Sequence, residues 1–132
     1  MIETIGDGNN GTIAIIVYKS YDADGIQFLT PNDFSLQLGY MKRAAGYTIQ
    51  RHVHLPFKRE TVGTQEVLFI RKGRVIVDFY TGDQQYRESR ELSEGDFVLL
   101  AGAGHGIRVL DEAVIVEVKN GPYAADQDKT RF

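Results

Sequence analysis

The chain contains three histidines, His52, His54 and His105, and the first two are separated by a single residue. Side chains on a β-strand alternate between its two faces, so His52 and His54 point the same way if residues 47–54 form a strand. Two imidazoles at this spacing can share a small cation, with Zn–N bonds of about 2.0 to 2.1 Å. The pair therefore indicates a metal site. The alternative is two ordinary histidines on a solvated strand face.

The same alternation gives this segment one polar face and one apolar face. Thr48 and Gln50 share the face of the two histidines, whereas Tyr47, Ile49 and Val53 lie on the other. Gln50 is therefore a candidate for orienting a bound water or substrate. It is equally consistent with a polar residue that plays no part in chemistry.

Short apolar or alternating runs, separated by turn sequences such as DADG, RKGR and SEGD, predict an all-β fold over the whole chain. With 132 residues we expect a single domain, with N-terminal strands in residues 1–45. The predicted strands are 12–19, 25–29, 34–43, 47–54, 66–71, 75–80, 86–92, 97–100, 107–110 and 113–118. The tail, residues 119–132, ends in a polar stretch that predicts a loop, a frayed end or a short helical turn.

Composition excludes several classes of function. The formal net charge is −3 and the basic residues are scattered, so we expect no nucleic-acid partner. There is no cysteine, which removes disulfides and thiol chemistry. The N-terminal sequence has acids where a signal peptide has bases, and its apolar run is too short to span a membrane. We therefore expect a cytoplasmic protein with no membrane partner.

Glycine and glutamate residues frame the histidine pair at characteristic distances. Gly46 lies six residues before His52, the pair ends at His54, and Glu66 lies seven residues before Gly73. A glutamate followed by a glycine-centred hairpin is typical of a strand that leads into a tight turn.

The third histidine lies in a second glycine-framed segment, GDFVLLAGAGHGIRV, which begins at Gly95 and contains His105. Together, residues 46–73 and 95–109 resemble the two motifs of the cupin superfamily. Ala101 replaces the proline of the second motif, and Val109 replaces its asparagine.

The resemblance implies a cupin-type double-stranded β-helix, a jelly-roll barrel, in which His52, His54, Glu66 and His105 bind one divalent metal ion. Iron, manganese, nickel and zinc all accept such a set of ligands. Eleven residues separate His54 from Glu66, more than the motif has, and Glu60 within this insertion is a rival carboxylate. We prefer Glu66 because its distance to the glycine of the hairpin fits the motif.

The resemblance also limits the function. The tail is similar to the tails of cupin-type sugar ketoisomerases, so we expect a small-molecule substrate and a sugar or nucleotide-sugar isomerase or epimerase. Glu66, His105 and Gln50 are the catalytic candidates. An Fe(II)-dependent dioxygenase is the first alternative, and a cupin that binds a small ligand or a metal without turnover is the second.

The strand predicted at residues 12–19 reads TIAIIVYK and is apolar on both faces for most of its length. Both faces must therefore be covered. In a chain predicted to lack helices, the simplest cover for the outer face is a second copy. We expect a homodimer whose interface includes Ile13, Ile15 or Ile16.

Overall fold

The computed structural model describes residues 1–132 and contains ten antiparallel strands. The strands are β1 (Ile2–Gly6), β2 (Thr12–Val17), β3 (Gly25–Phe28), β4 (Gly39–Lys42), β5 (Glu66–Lys72), β6 (Arg74–Tyr80), β7 (Tyr86–Ser93), β8 (Phe97–Leu100), β9 (Gly104–Val109) and β10 (Val114–Lys119). One 3-10 turn, Ala125–Gln127, lies in the tail. The predicted all-β class is confirmed. None of the helices in the structure has the length and hydropathy needed to cross a bilayer.

The strands form two main sheets and one hairpin. One sheet has five strands in the order β1-β2-β8-β5-β10, and the other has three in the order β7-β6-β9. β3 and β4 pair only with each other. Neither main sheet closes on itself, and the jelly-roll barrel stays a prediction.

The core lies between the two main sheets. Alternate residues of each strand face inward, such as Leu68 and Ile70 on β5 and Val77 and Phe79 on β6, and all four are buried in one apolar cluster. This pattern follows from the period of two in a strand, because every second residue is apolar. The outward positions of β6 carry polar residues such as Asp78, which binds Arg108.

The β5–β6 hairpin depends on a glycine. Gly73 has φ +81°, a conformation that a residue with a Cβ rarely adopts. A Cβ at this position would also overlap the carbonyl oxygen of Glu112, in the turn between β9 and β10. The backbone conformation and the close approach of Glu112 therefore both favour glycine at position 73 of the turn predicted from RKGR.

The outer face of β2 is covered by the chain itself. Leu29, Leu38 and Tyr40, from the β3–β4 region, line a small cavity together with Val17 of β2 and Phe97 of β8. The backbone around residue 36 is fixed to the start of β5 through the side chain of Gln65.

Ile13, Ile15 and Ile16 are consequently buried within one chain. The prediction that these residues lie in a dimer interface is therefore wrong, because almost none of their surface is left for a second copy to contact. The homodimer itself stays a prediction. Coverage by the segment that follows β2 could not be recognised from the apolar pattern of β2 alone.

Residues 47–54 do not form a strand, which corrects a second expectation. The alternation is present in the sequence, but these residues pair with no other strand. The reverse error occurs at β1, Ile2–Gly6, which is a strand that was not predicted.

The two sides of the sandwich differ. On one side the edge strands β1 and β7 are joined by Arg90, which donates hydrogen bonds of 2.8 and 2.6 Å to Glu3, and Tyr18 donates another to the same carboxylate. Arg87 also donates to the carbonyl of Gly6. On the other side, β9 and β10 end their sheets without any such connection, so this side is open.

We predict that Glu3→Gln destabilises the protein by about 1 kcal/mol at pH 7, as expected for a partly buried ion pair. The hydrogen bond from Arg90 lowers the pKa of Glu3 below its ordinary value of 4.5. The stabilisation is therefore fully present above pH 4.5 and is lost as the pH falls through the lowered pKa. Urea unfolding at pH 7 and pH 3 measures both effects.

The matched control is Glu94→Gln, because Glu94 is an exposed acid outside these ion pairs. It should leave the free energy of unfolding unchanged at both pH values. An equal loss for Glu3→Gln at both pH values would contradict the assignment to the ion pair.

Candidate metal and substrate site

Glu66 and His105 meet at the open side of the sandwich. Glu66 begins β5 on the same face as the buried Leu68, and His105 on β9 lies opposite the buried Phe79. Both side chains therefore point into the space between the sheets. The Nε2 of His105 lies 3.0 Å from an Oε1 of Glu66, with side-chain exposures of 29% and 16%.

A second carboxyl group adjoins the pair. Glu117 on β10 lines the same cavity as Glu66, and its interaction with Glu66 raises the pKa of Glu117 above its ordinary value. The hydrogen bond with His105 is the main cause that lowers the pKa of Glu66, to about 2, against the opposing effect of burial. Glu66 is therefore the charged member of the two carboxyl groups, and Glu117 is the one that retains a proton more readily.

The three residues line a cavity of about 770 Å³ that opens between the sheets. Its other walls come from the glycine-rich segment before β9, from Tyr80 and from the tail. Phe132 packs edge-on against Tyr80, with ring centroids 5.0 Å apart, and Thr64 hydrogen-bonds Asp128. The cavity therefore contains carboxylates, an imidazole and the cationic residues Lys119, Lys129 and Arg131.

The other two histidines lie on an exposed segment that we call the arm, residues 44–63. Every residue of the arm is exposed, and it contains no strand or helix. The rings of His52 and His54 are 5.3 Å apart, so the two remain neighbours. Within one chain, however, no group of three or more His, Asp or Glu side chains is arranged to hold a metal ion.

His52 is nevertheless oriented as metal-binding histidines commonly are. Its Nδ1 lies 2.8 Å from the backbone carbonyl of Gln50, and a carbonyl can only accept a hydrogen bond. The proton of the neutral ring is therefore on Nδ1, and Nε2 keeps the lone pair that a metal needs.

The remaining candidates also lie on the arm. The side chain of Gln50 is exposed and away from the cavity, and Glu60 pairs with Lys58 at 3.2 Å. Of the two rival carboxylates, it is thus Glu66 that lies beside His105. The four-residue metal site and the catalytic role of Gln50 stay predictions.

The sequence analysis did not identify Glu117, Lys119 or most of the tail residues that line the cavity. The alternation VEVK at residues 116–119 contains a usable signal, since it places Glu117 and Lys119 on the face opposite Val116 and Val118. That face is the one that borders the cavity. The contribution of Phe132 depends on how the tail folds back, which no local pattern indicates.

Comparison of the chain with protein-family models, with curated proteins and with solved structures gave no match.

The contact between Glu66 and His105 fits a shared cation. Two donors bound to one ion at about 2.0 to 2.2 Å, at roughly a right angle, lie about 3 Å apart. The observed separation is 3.0 Å. An ion could therefore replace the shared proton without a large movement of either side chain, but these two donors alone do not complete a coordination sphere.

We predict that Glu66→Ala lowers the pKa of Glu117 in the metal-free protein. Glu66 is the main cause of the raised value, and its removal leaves the smaller effect of burial, which raises the pKa of Glu117, and the contact with Lys119, which lowers it. Carbon-13 NMR of glutamate carboxyl groups, followed through a pH titration, measures the change. An unchanged Glu117 would show that the two carboxyl groups do not interact.

Glu112→Ala is the control, because Glu112 pairs with Lys72 on the surface outside the cavity. It should leave the titration of Glu117 as it is in the unmodified protein.

Proposed function

We propose that the protein is a metal-binding cupin that isomerises or epimerises a small sugar or nucleotide-sugar. The single observation that carries the proposal is the pair Glu66 and His105, 3.0 Å apart in the wall of a large polar cavity. The order of the three histidines and the glutamate along the chain supports it through the resemblance to the cupin motifs. The two antiparallel sheets packed around one core support it.

The composition of the cavity suits a substrate with hydroxyl, carbonyl and anionic groups. Carboxyl and imidazole groups accept and donate hydrogen bonds to sugar hydroxyls. Lys119, Lys129 and Arg131 supply positive charge for a phosphate or diphosphate. A cavity of about 770 Å³ has the size of known small-molecule sites.

In this proposal Glu66 and His105 hold a first-row divalent ion, joined by His52 and His54. Such an ion polarises a carbonyl or hydroxyl oxygen as a Lewis acid. Isomerisation also requires a group that moves a proton between neighbouring carbon atoms. Glu117 is the candidate for this role, because its side chain lines the same cavity as Glu66 and His105.

We predict that the purified protein binds a divalent ion, measured by elemental analysis and by calorimetric titration. Glu66→Ala and His105→Ala should each lower the affinity at least roughly tenfold to a hundredfold, because each removes a ligand. Glu112→Ala, outside the cavity, should bind as the unmodified protein does. Undiminished binding by both site variants would contradict this site.

Turnover is tested with a panel of keto-sugars and their nucleotide derivatives in deuterated water. If the protein is an isomerase, the product should carry deuterium at the carbon beside the carbonyl, and no oxygen should be consumed. Iron in the protein with substrate-dependent oxygen uptake would instead favour the dioxygenase. Metal binding without turnover in either assay would favour a binding protein.

A further inference from the structure

The arm carries apolar side chains that nothing in its own chain covers. They are Tyr47, Ile49, Val53, Leu55, Phe57 and Val62, and each is more than half exposed. Burial of such side chains stabilises a protein by roughly 25 cal/mol per Å² of apolar surface. Six exposed apolar residues on one continuous segment therefore indicate a contact surface rather than an ordinary loop.

The free edge of β9 is a matching unfilled surface. Val77 on the neighbouring β6 is buried, but Ile107 and Val109, which point into the same interlayer space, are 39% and 60% exposed. β9 is also the last strand of its sheet, so the backbone groups on its outer side have no partner strand. An edge of this kind readily accepts another strand.

The arm and this edge agree in length and in pattern. Residues 47–54 alternate as a strand does, and eight residues can pair along the six residues of β9, Gly104–Val109. Antiparallel pairing with His52 and His54 at the His105 end directs both imidazoles toward the cavity. In this register Thr48 and Gln50 share the inward face with the two histidines, on the side of Ile107 and Val109, whereas Tyr47, Ile49 and Val53 lie on the outer face of the extended sheet.

Charge also favours contact between the arm and the body of a chain of this sequence. The arm contains three cationic residues and one acid, whereas the whole chain has formal net charge −3. The remainder of the chain is therefore more negative than the whole. The carboxyl groups of Glu66 and Glu117 lie together where the two histidines would arrive.

We propose that the arm of a second copy adds to the free edge of β9 and brings its His52 and His54 to Glu66 and His105, so that each metal site is completed by two subunits. The arm of each chain leaves its own edge open, and a twofold exchange fills both edges at once. This inference rests on the proposed metal site for its chemistry, but the strand exchange itself can be tested without any metal.

The exchange predicts complementation between two defective variants. His52→Ala/His54→Ala and His105→Ala should each lose metal binding. When they are unfolded together and refolded as a mixture, half of the dimers are mixed, and each mixed dimer has one intact site of two. Metal binding should therefore return to roughly a quarter of the sites of the unmodified protein. No recovery in a mixture shown to contain mixed dimers would overturn completion between subunits.

Assembly is measured separately by light scattering on the metal-free protein. We expect twice the chain mass of 14.8 kDa at micromolar concentration. Ile49→Pro should give a monomer with an unchanged β-sheet circular dichroism spectrum, because proline cannot donate to a strand ladder and the arm is not part of the core. Thr61→Pro, on the same arm but outside residues 47–54, should remain a dimer.

The two experiments separate the two proposals. A dimer that depends on residues 47–54 but binds no metal would support the exchange and contradict the proposed function. A monomeric unmodified protein that binds a metal tightly would support the function and overturn the exchange, since the arm would then fold onto its own chain.

Discussion

Apolar strand faces must be covered and strand edges paired or protected, and this requirement shapes the whole molecule. The chain meets it at β2 by laying the β3–β4 region over the outer face. Between β1 and β7, the ion pair of Glu3 and Arg90 protects the two edge strands. Between β9 and β10 the strand edges of a single chain stay unprotected, and the candidate site lies on that side.

The location of the site follows from this open side. Glu66 and His105 occupy inward positions that would carry apolar residues in a closed sandwich, and the opening gives them access to solvent and to a substrate. The same opening explains why two carboxyl groups can lie near each other. Partial exposure reduces the cost of burying their charge, and a neighbouring imidazole compensates the charge of Glu66.

Local alternation was sufficient to predict most strands and the all-β class, because inward residues such as Leu68 and Phe79 recur with a period of two. It also correctly assigned Gly73 to a turn. It was insufficient wherever the outcome depended on a distant segment. The strand-like pattern of residues 47–54 has no partner strand within the chain, and Ile15 is buried by segments outside β2. To place Glu117 near Glu66, one would have to know that β10 pairs with β5.

The contact between Gly73 and the carbonyl of Glu112 has a consequence for how such a chain can diverge. The β5–β6 turn and the β9–β10 turn touch, so neither can gain a residue unless the other changes with it. The arm has no such neighbour, and its length is free of steric restriction. Insertions and deletions accepted during evolution should therefore concentrate between His54 and Glu66, where the spacing within the first motif already departs from that of the cupin pattern.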